Sequence, residues 1–301
     1  MGTRICRLLA ILAVWLPASA ALAAQASFDK RFNAPPGGHL TLDTDVGSVV
    51  IVGHDTHEVV IHADVSDPDH LDISAEQNSS GVTVTGRVTP SSWLSWLSWL
   101  DFRSMHVRFT IDVPRDYPVQ IQTAGGSIDV GHLTAAVDGK TAGGGITIQD
   151  VVGSIDVHTS GGGIRAERVN GPTELRTSGG SIDIVDSSGD LDARTSGGSI
   201  DLKSIEGRVK ADTSGGSIHA EVRANRGVSL TSSGGSVTLL LPENVRASLD
   251  AKTSGGRAQS ELPLSSTELD DHSHLRGAIN GGGEQIFLRT SGGSILVGPL
   301  R

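Results

Sequence analysis

Apolar and polar residues alternate in short runs along most of this chain, as in Ile182-Asp183-Ile184, Leu191-Asp192-Ala193 and Ile200-Asp201-Leu202. A period of two predicts β-strands with one buried face. Glycine punctuates the runs every nine residues, at positions 144, 153, 162, 171, 180, 189, 198, 207 and 216. Two residues beyond each glycine stands Ile146, Ile155, Ile164, Thr173, Ile182, Leu191, Ile200, Val209 or Ile218, and four beyond it an aliphatic residue that is often alanine. The residue between them is polar throughout, from Thr147 and Asp156 to Lys210 and His219. A strand this short cannot bury its apolar face alone, so it must stack on copies of itself.

Two nine-residue strand-turn units return the chain to its starting side. The segment Thr-Ser-Gly-Gly-Ser-Ile recurs at Thr177, Thr195 and Thr213, with variants at Thr123, Thr141 and Thr159, so the coil is 18 residues long. The predicted fold is all-β: a single-stranded parallel β-helix, or β-solenoid, with coils about 4.8 Å apart and two facing sheets around a thin core. Ile182, Ile184, Leu191, Ile200 and Leu202 should be buried, and Asp183, Asp192 and Asp201 should face solvent. The glycines should supply corners with positive φ. The Thr-Ser pairs (Thr159-Ser160, Thr177-Ser178, Thr195-Ser196, Thr213-Ser214) should stack as hydroxyl ladders that satisfy turn amides.

The organisation expected is a signal peptide at 1–23, irregular N-terminal coils at 24–122 and a regular solenoid at 123–301. Leu40, Leu42, Val49, Ile51, Val59 and Ile61 belong to the irregular coils. A polar, acidic loop without periodicity runs from Pro263 to Asn280, and Ile286–Val297 should form the last coil and cap the open end. The segment 91–102 fits no coil. It places Trp93, Leu94, Trp96, Leu97, Trp99 and Leu100 on a broad apolar arc if helical. It reads either as a lid on the solenoid or as a contact element for a protein partner or a membrane interface.

Arg4 and Arg7 precede an apolar run from Leu8 to Leu16, Pro17, and the cleavage-like Ala21-Leu22-Ala23. This is the layout of a secretory signal, which places the protein in the periplasm or at the cell surface. The single cysteine, Cys6, lies within that signal, so the exported chain has no disulfide or thiolate site. Beyond residue 23 there are 22 Lys and Arg against 34 Asp and Glu, a balance that argues against nucleic acid as a partner. Only ten aromatic residues stand in 301, in keeping with a narrow, repetitive core.

No constellation points to chemistry. In Gly197-Gly198-Ser199-Ile200-Asp201-Leu202, isoleucine and leucine stand where a calcium-binding nonapeptide repeat needs glycine and aspartate. His54, His57 and His62 near Asp55 and Glu58, and His272 and His274 near Asp270 and Asp271, lack metal-site spacing. There is no Gly-x-Ser-x-Gly elbow. Polysaccharide-cleaving β-helices need a groove with paired carboxylates, whereas outward strand positions here form a shallow wall. No catalytic, cofactor or metal residues are expected.

Val113-Pro114 followed by repeated strands, the Thr-x-Gly-Gly-x-Ile units, and Asn280-Gly281-Gly282-Gly283 before a final Thr-Ser-Gly-Gly-Ser-Ile together resemble the adhesin-like, or toastrack, family of bacterial envelope domains. The resemblance runs from about Thr41 to Val297. It implies a right-handed β-helix at the cell envelope, in a family linked to surface interaction and envelope stress and lacking catalytic residues to carry over. The expectation is an exported, non-catalytic scaffold that meets an envelope protein or surface ligand. The alternatives are an accessory or sensor module of an envelope-stress system and, behind it, a polysaccharide-active enzyme.

Overall fold

A computed structural model describes residues 26–89, 106–270 and 272–300. Among the described residues the alternating segments become strands, interrupted by a single 3-10 turn at Pro68–His70. The opening strands are β1 (Ala26–Asn33), β2 (His39–Thr44), β3 (Ser48–His54), β4 (Glu58–Val65), β5 (Leu71–Asn78), β6 (Gly81–Val88) and β7 (Val107–Pro114). The regular coils follow as pairs: β8 (Val119–Thr123) with β9 (Ile128–Leu133), β10 (Val137–Thr141) with β11 (Ile146–Val152), β12 (Ile155–Thr159) with β13 (Ile164–Asn170), and β14 (Thr173–Thr177) with β15 (Ile182–Ser188). After β16 (Leu191–Thr195), the long strands β17 (Ile200–Thr213) and β18 (Ile218–Ser232) each run around a corner and serve both sheets. The closing strands are β19 (Val237–Leu241), β20 (Ala247–Thr253), β21 (Ala258–Ser260), β22 (Leu264–Asp270), β23 (His274–Ile279), β24 (Glu284–Thr290) and β25 (Ile295–Pro299).

These strands build two walls. The first wall runs in space β5, β6, β2, β8, β10, β12, β14, β16, the later halves of β17 and β18, then β24, β20, β23 and β22. The second runs β1, β4, β7, β3, β9, β11, β13, β15, the earlier halves of β17 and β18, then β19, β25 and β21. Pairing is parallel except beside β1, β4, β5, β22 and β23 at the ends. In the regular part each residue lies beside the one 18 positions on, as in Ile155, Thr173, Leu191 and Val209. The core is filled by such columns. Ile182, Ile184, Leu191, Ile200 and Leu202 are all buried, while Asp183 is exposed and Asp192 and Asp201 lie half-exposed on the outer faces. The pleat places successive side chains on opposite faces, so no other register would bury these residues together.

Close approach of neighbouring backbones applies along the whole nine-residue glycine ladder, and half of it needs positive φ as well. Gly153, Gly171, Gly189 and Gly207 do take positive φ, for example 117° at Gly189. The alternate set does not. At Gly162 a Cβ would lie 2.2 Å from the carbonyl oxygen of Gly144 in the neighbouring coil, so this column is glycine because backbones touch. A further left-handed column was not anticipated: His132, Asp150, Arg168, Asp186 and Ser204, one per coil, have φ between 51° and 60°. This kink turns the next residue inward, where Leu133, Val151, Val169, Ser187 and Ile205 line a third strip of the core.

The expected hydroxyl ladder forms at the threonines of these pairs but not at their serines. Thr159 is buried; its Oγ1 accepts from the Gly162 amide at 3.3 Å and donates to the Gly144 carbonyl at 2.7 Å, and the same pair of bonds recurs at Thr177, Thr195 and Thr213. Its neighbour Ser160 points to solvent, as do Ser178, Ser196 and Ser214. The serine ladder belongs instead to Ser181, Ser199, Ser217 and Ser236, after the glycines, each hydroxyl accepting from the next coil's serine amide.

Both ends depart from the simple solenoid order. The coil β24–β25 does not cap the stack; it is inserted between β18–β19 and β20–β21. The span 263–280 is likewise not an unstructured loop, since β22 and β23 form an antiparallel hairpin that extends the first wall beyond β20. The N-terminal end repeats this plan, with β2–β3 lying between β6–β7 and β8–β9. The run Leu264-Ser265-Ser266-Thr267-Glu268 has a single apolar residue, so no period of two marks β22 in the sequence.

Candidate interaction surfaces

Inward positions are taken up by the core, so chemistry must reside on the outward ones. On the first wall, two outward residues per coil make two columns. One holds Asp138, Asp156, Glu174 and Asp192; the other, two residues along each strand, holds Lys140, His158, Arg176 and Arg194. In the next coil the order reverses to Lys210 and Asp212. Further along stand Ser229 and Thr231, then Phe287 and Arg289, then Asp250 and Lys252. Ion pairs knit the columns: Arg194 reaches Asp192 at 2.5 Å, Asp212 at 3.6 Å and Glu174 at 3.8 Å, and Arg176 contacts Glu174. Phe287 is 40% exposed, and the Arg289 guanidinium sits 3.7 Å from its ring centroid. A shallow groove of about 440 Å³ follows the wall's margin past Ile155, Thr173, Leu191 and Arg208.

Near the C-terminal end, Asp250 is a hub. It accepts from His274 at 2.9 Å, Arg289 at 3.0 Å and Arg276 at 3.2 Å, tying β20 to β23 and β24. Burial pushes its carboxyl pKa up, yet the His274 hydrogen bond and the Arg289 and Arg276 guanidinium groups together hold it below the usual value. On the kinked column, the hydrogen bond from Arg168 at 2.5 Å holds Asp150 low, with His132 at 3.4 Å.

The histidines singled out by sequence are dispersed into separate pairs. His62 is held between Asp29 (2.6 Å) and Asp64 (3.2 Å), His54 contacts Asp112 at 3.1 Å, and His274 belongs to the Asp250 hub. Among the described residues no three His, Cys, Asp or Glu converge as a metal set, and no helix is long and apolar enough to cross a membrane. Trp93, Leu94, Trp96, Leu97, Trp99 and Leu100 lie outside the described residues. The chain leaves for that segment after Thr89, whose amide donates to the His70 carbonyl, and returns at His106, bonded to Ser66. Both points lie on β6–β7, the last parallel coil at the N-terminal end, beyond which the antiparallel strands β5, β4 and β1 are added. The charge-ordered wall was not anticipated from sequence. Its signal is an opposite-charge pair at i and i+2 recurring every 18 residues.

A stack of 18-residue coils with two parallel walls, flanked at each end by antiparallel strands, defines a β-solenoid. The chain matches the Toastrack DUF4097 model over residues 38–297 and belongs to that family. No curated protein matches it. Similar solved structures include a candidate adhesin from Parabacteroides merdae (10% identity, TM-score 0.38, covering 91% of this chain and 96% of that one). Another is from Bacteroides fragilis (12%, 0.36, 92% and 99%). A candidate cell-adhesion protein from Clostridium sporogenes is similar at 12% identity with a TM-score of 0.26, over 92% of this chain and 100% of that one.

Proposed function

We propose that this protein is a non-catalytic, adhesin-like scaffold of the cell envelope, exported by its N-terminal signal, that meets its partner through the Trp93–Leu100 segment. The observation that carries this reading is where that segment is rooted. The chain leaves for it and returns from it at β6–β7, the last parallel coil of that end, while the coils behind use their inward side chains for packing and their outward ones for shallow, ion-paired walls. A surface of this kind suits contact with a large partner better than enclosure of a small substrate. A protein partner fits an acidic body better than an anionic bilayer does.

The test replaces Trp93, Trp96 and Trp99 together with serine in the exported chain. Contact through the segment predicts an unchanged melting temperature and at least a ten-fold loss of binding to isolated envelopes, with vesicle co-sedimentation separating a lipid from a protein target. A lid predicts the reverse: intact binding and a lowered melting temperature, since each tryptophan taken from a packed site costs about 3 kcal/mol or more. That second outcome would end the contact reading.

A further inference from the structure

We propose that the outer face of the first wall is a homodimer interface, on which two copies meet wall to wall about a two-fold axis parallel to the stack. The argument goes beyond the scaffold reading and rests on charge order. The two outward columns are separated by two residues, about 6.6 Å, and successive coils by about 4.8 Å. Rotation about an axis parallel to the stack, midway between the columns, lays each column of one copy on the other column of its partner, coil against the same coil.

Asp138 then meets Lys140 of the second copy, Asp156 meets His158, Glu174 meets Arg176, Asp192 meets Arg194, and Asp250 meets Lys252. The reversed coil obeys the same rule, because Lys210 meets Asp212. Ser229 faces Thr231, and the exposed Phe287 ring meets Arg289, the kind of cation it already carries within its own chain. A two-fold along the strands would instead set acid on acid. A slip of one coil would bring Lys210 onto Arg194 and Asp212 onto Asp192, so the reversal marks the register. Opposite charges two residues apart pair within one chain, and the same order makes every coil complementary to itself under this single symmetry operation, which is what an isologous interface requires.

The eight coils from β10 to β20 span about 38 Å by about 17 Å, or about 1,300 Å² counted over both copies, at the small end of specific interfaces. With exposed ion pairs supplying the match, association should be modest and sensitive to salt.

The test is a charge exchange read by sedimentation velocity. One chain carries R176E and R194E, making both columns acidic over two coils; the other carries E174R and D192R, making both basic there. The expected result is a wild-type dimer at 0.1 M NaCl that weakens at least ten-fold at 1 M, two variants that are each monomeric alone, and a dimer when the two are mixed. Dimerisation of the mixture also shows that both variants are folded. A wild-type protein that stays monomeric at 0.1 M, variants that dimerise as the wild type does, or a mixture that fails to pair would each overturn the proposal, leaving the tryptophan test of the scaffold untouched.

Discussion

At the level of single residues, the fold depends on places where the backbones of neighbouring coils touch. The Gly162 position leaves 2.2 Å for a Cβ against the Gly144 carbonyl, whereas a Cβ on Gly125, in an equivalent exposed turn, meets nothing within 4 Å. Gly162→Ala must push two coils apart, breaking the Thr159 bridge that joins them. It should cost about 2–3 kcal/mol, and Gly125→Ala less than about 1 kcal/mol, in equilibrium denaturation. Equal effects from the two would show that contact between coils is not what demands glycine. The spacing of the glycines was plain in the sequence, but their causes were not, because steric approach and positive φ select the same residue. The kinks at Arg168 and Ser204 were hidden for the opposite reason: residues of five different positions adopt a left-handed φ without a shared side-chain type.

Among the elements, β1 is the edge strand of the second wall, paired to β4 on one side only, and its attachment includes a titratable clasp. The hydrogen bond between Asp29 and His62 raises the His62 pKa and lowers that of Asp29. His62, raised when folded, contributes fully below the ordinary histidine value of about 6.5, and that contribution is lost as pH climbs through its folded value. Asp29, lowered when folded, contributes above the ordinary carboxylate value of about 3.9 and loses it as pH falls through its own folded value. The clasp is therefore tightest between those limits. Amide exchange in β1, corrected for intrinsic rate, should be slower at pH 5.5 than at pH 8.5, and His62→Gln should remove the difference. A β1 whose protection does not change between these pH values would exclude the clasp. Sequence showed His62 as one member of a loose polar group; that its partner is Asp29 follows from antiparallel pairing between β1 and β4, which no local pattern encodes.

For the whole molecule, the coil period was legible because every inward column repeats at 18 residues, while the arrangement of the ends was not, since parallel insertion of a later coil leaves its own sequence pattern unchanged. A chain ending after Pro242 would lose β20 to β25 together and expose the parallel edges of β18 and β19. Unprotected edges of this kind template further pairing. Such a truncation should form thioflavin-positive aggregates at concentrations where the full chain stays soluble; a soluble, cooperatively melting product would contradict this. The same insertion has a meaning for the order of assembly. At the N-terminal end, β2–β3 is made first and later receives a neighbour on each side, so it can act as a seed from which the stack grows outward in two directions. At the other end the relation in time is inverted: β20–β21 emerges from synthesis before β24–β25, the coil it must rest upon, and has only the antiparallel strand β23 beside it until residues 284–299 arrive and slip beneath it. Closure of the stack is thus a late, single event that waits for the final coil.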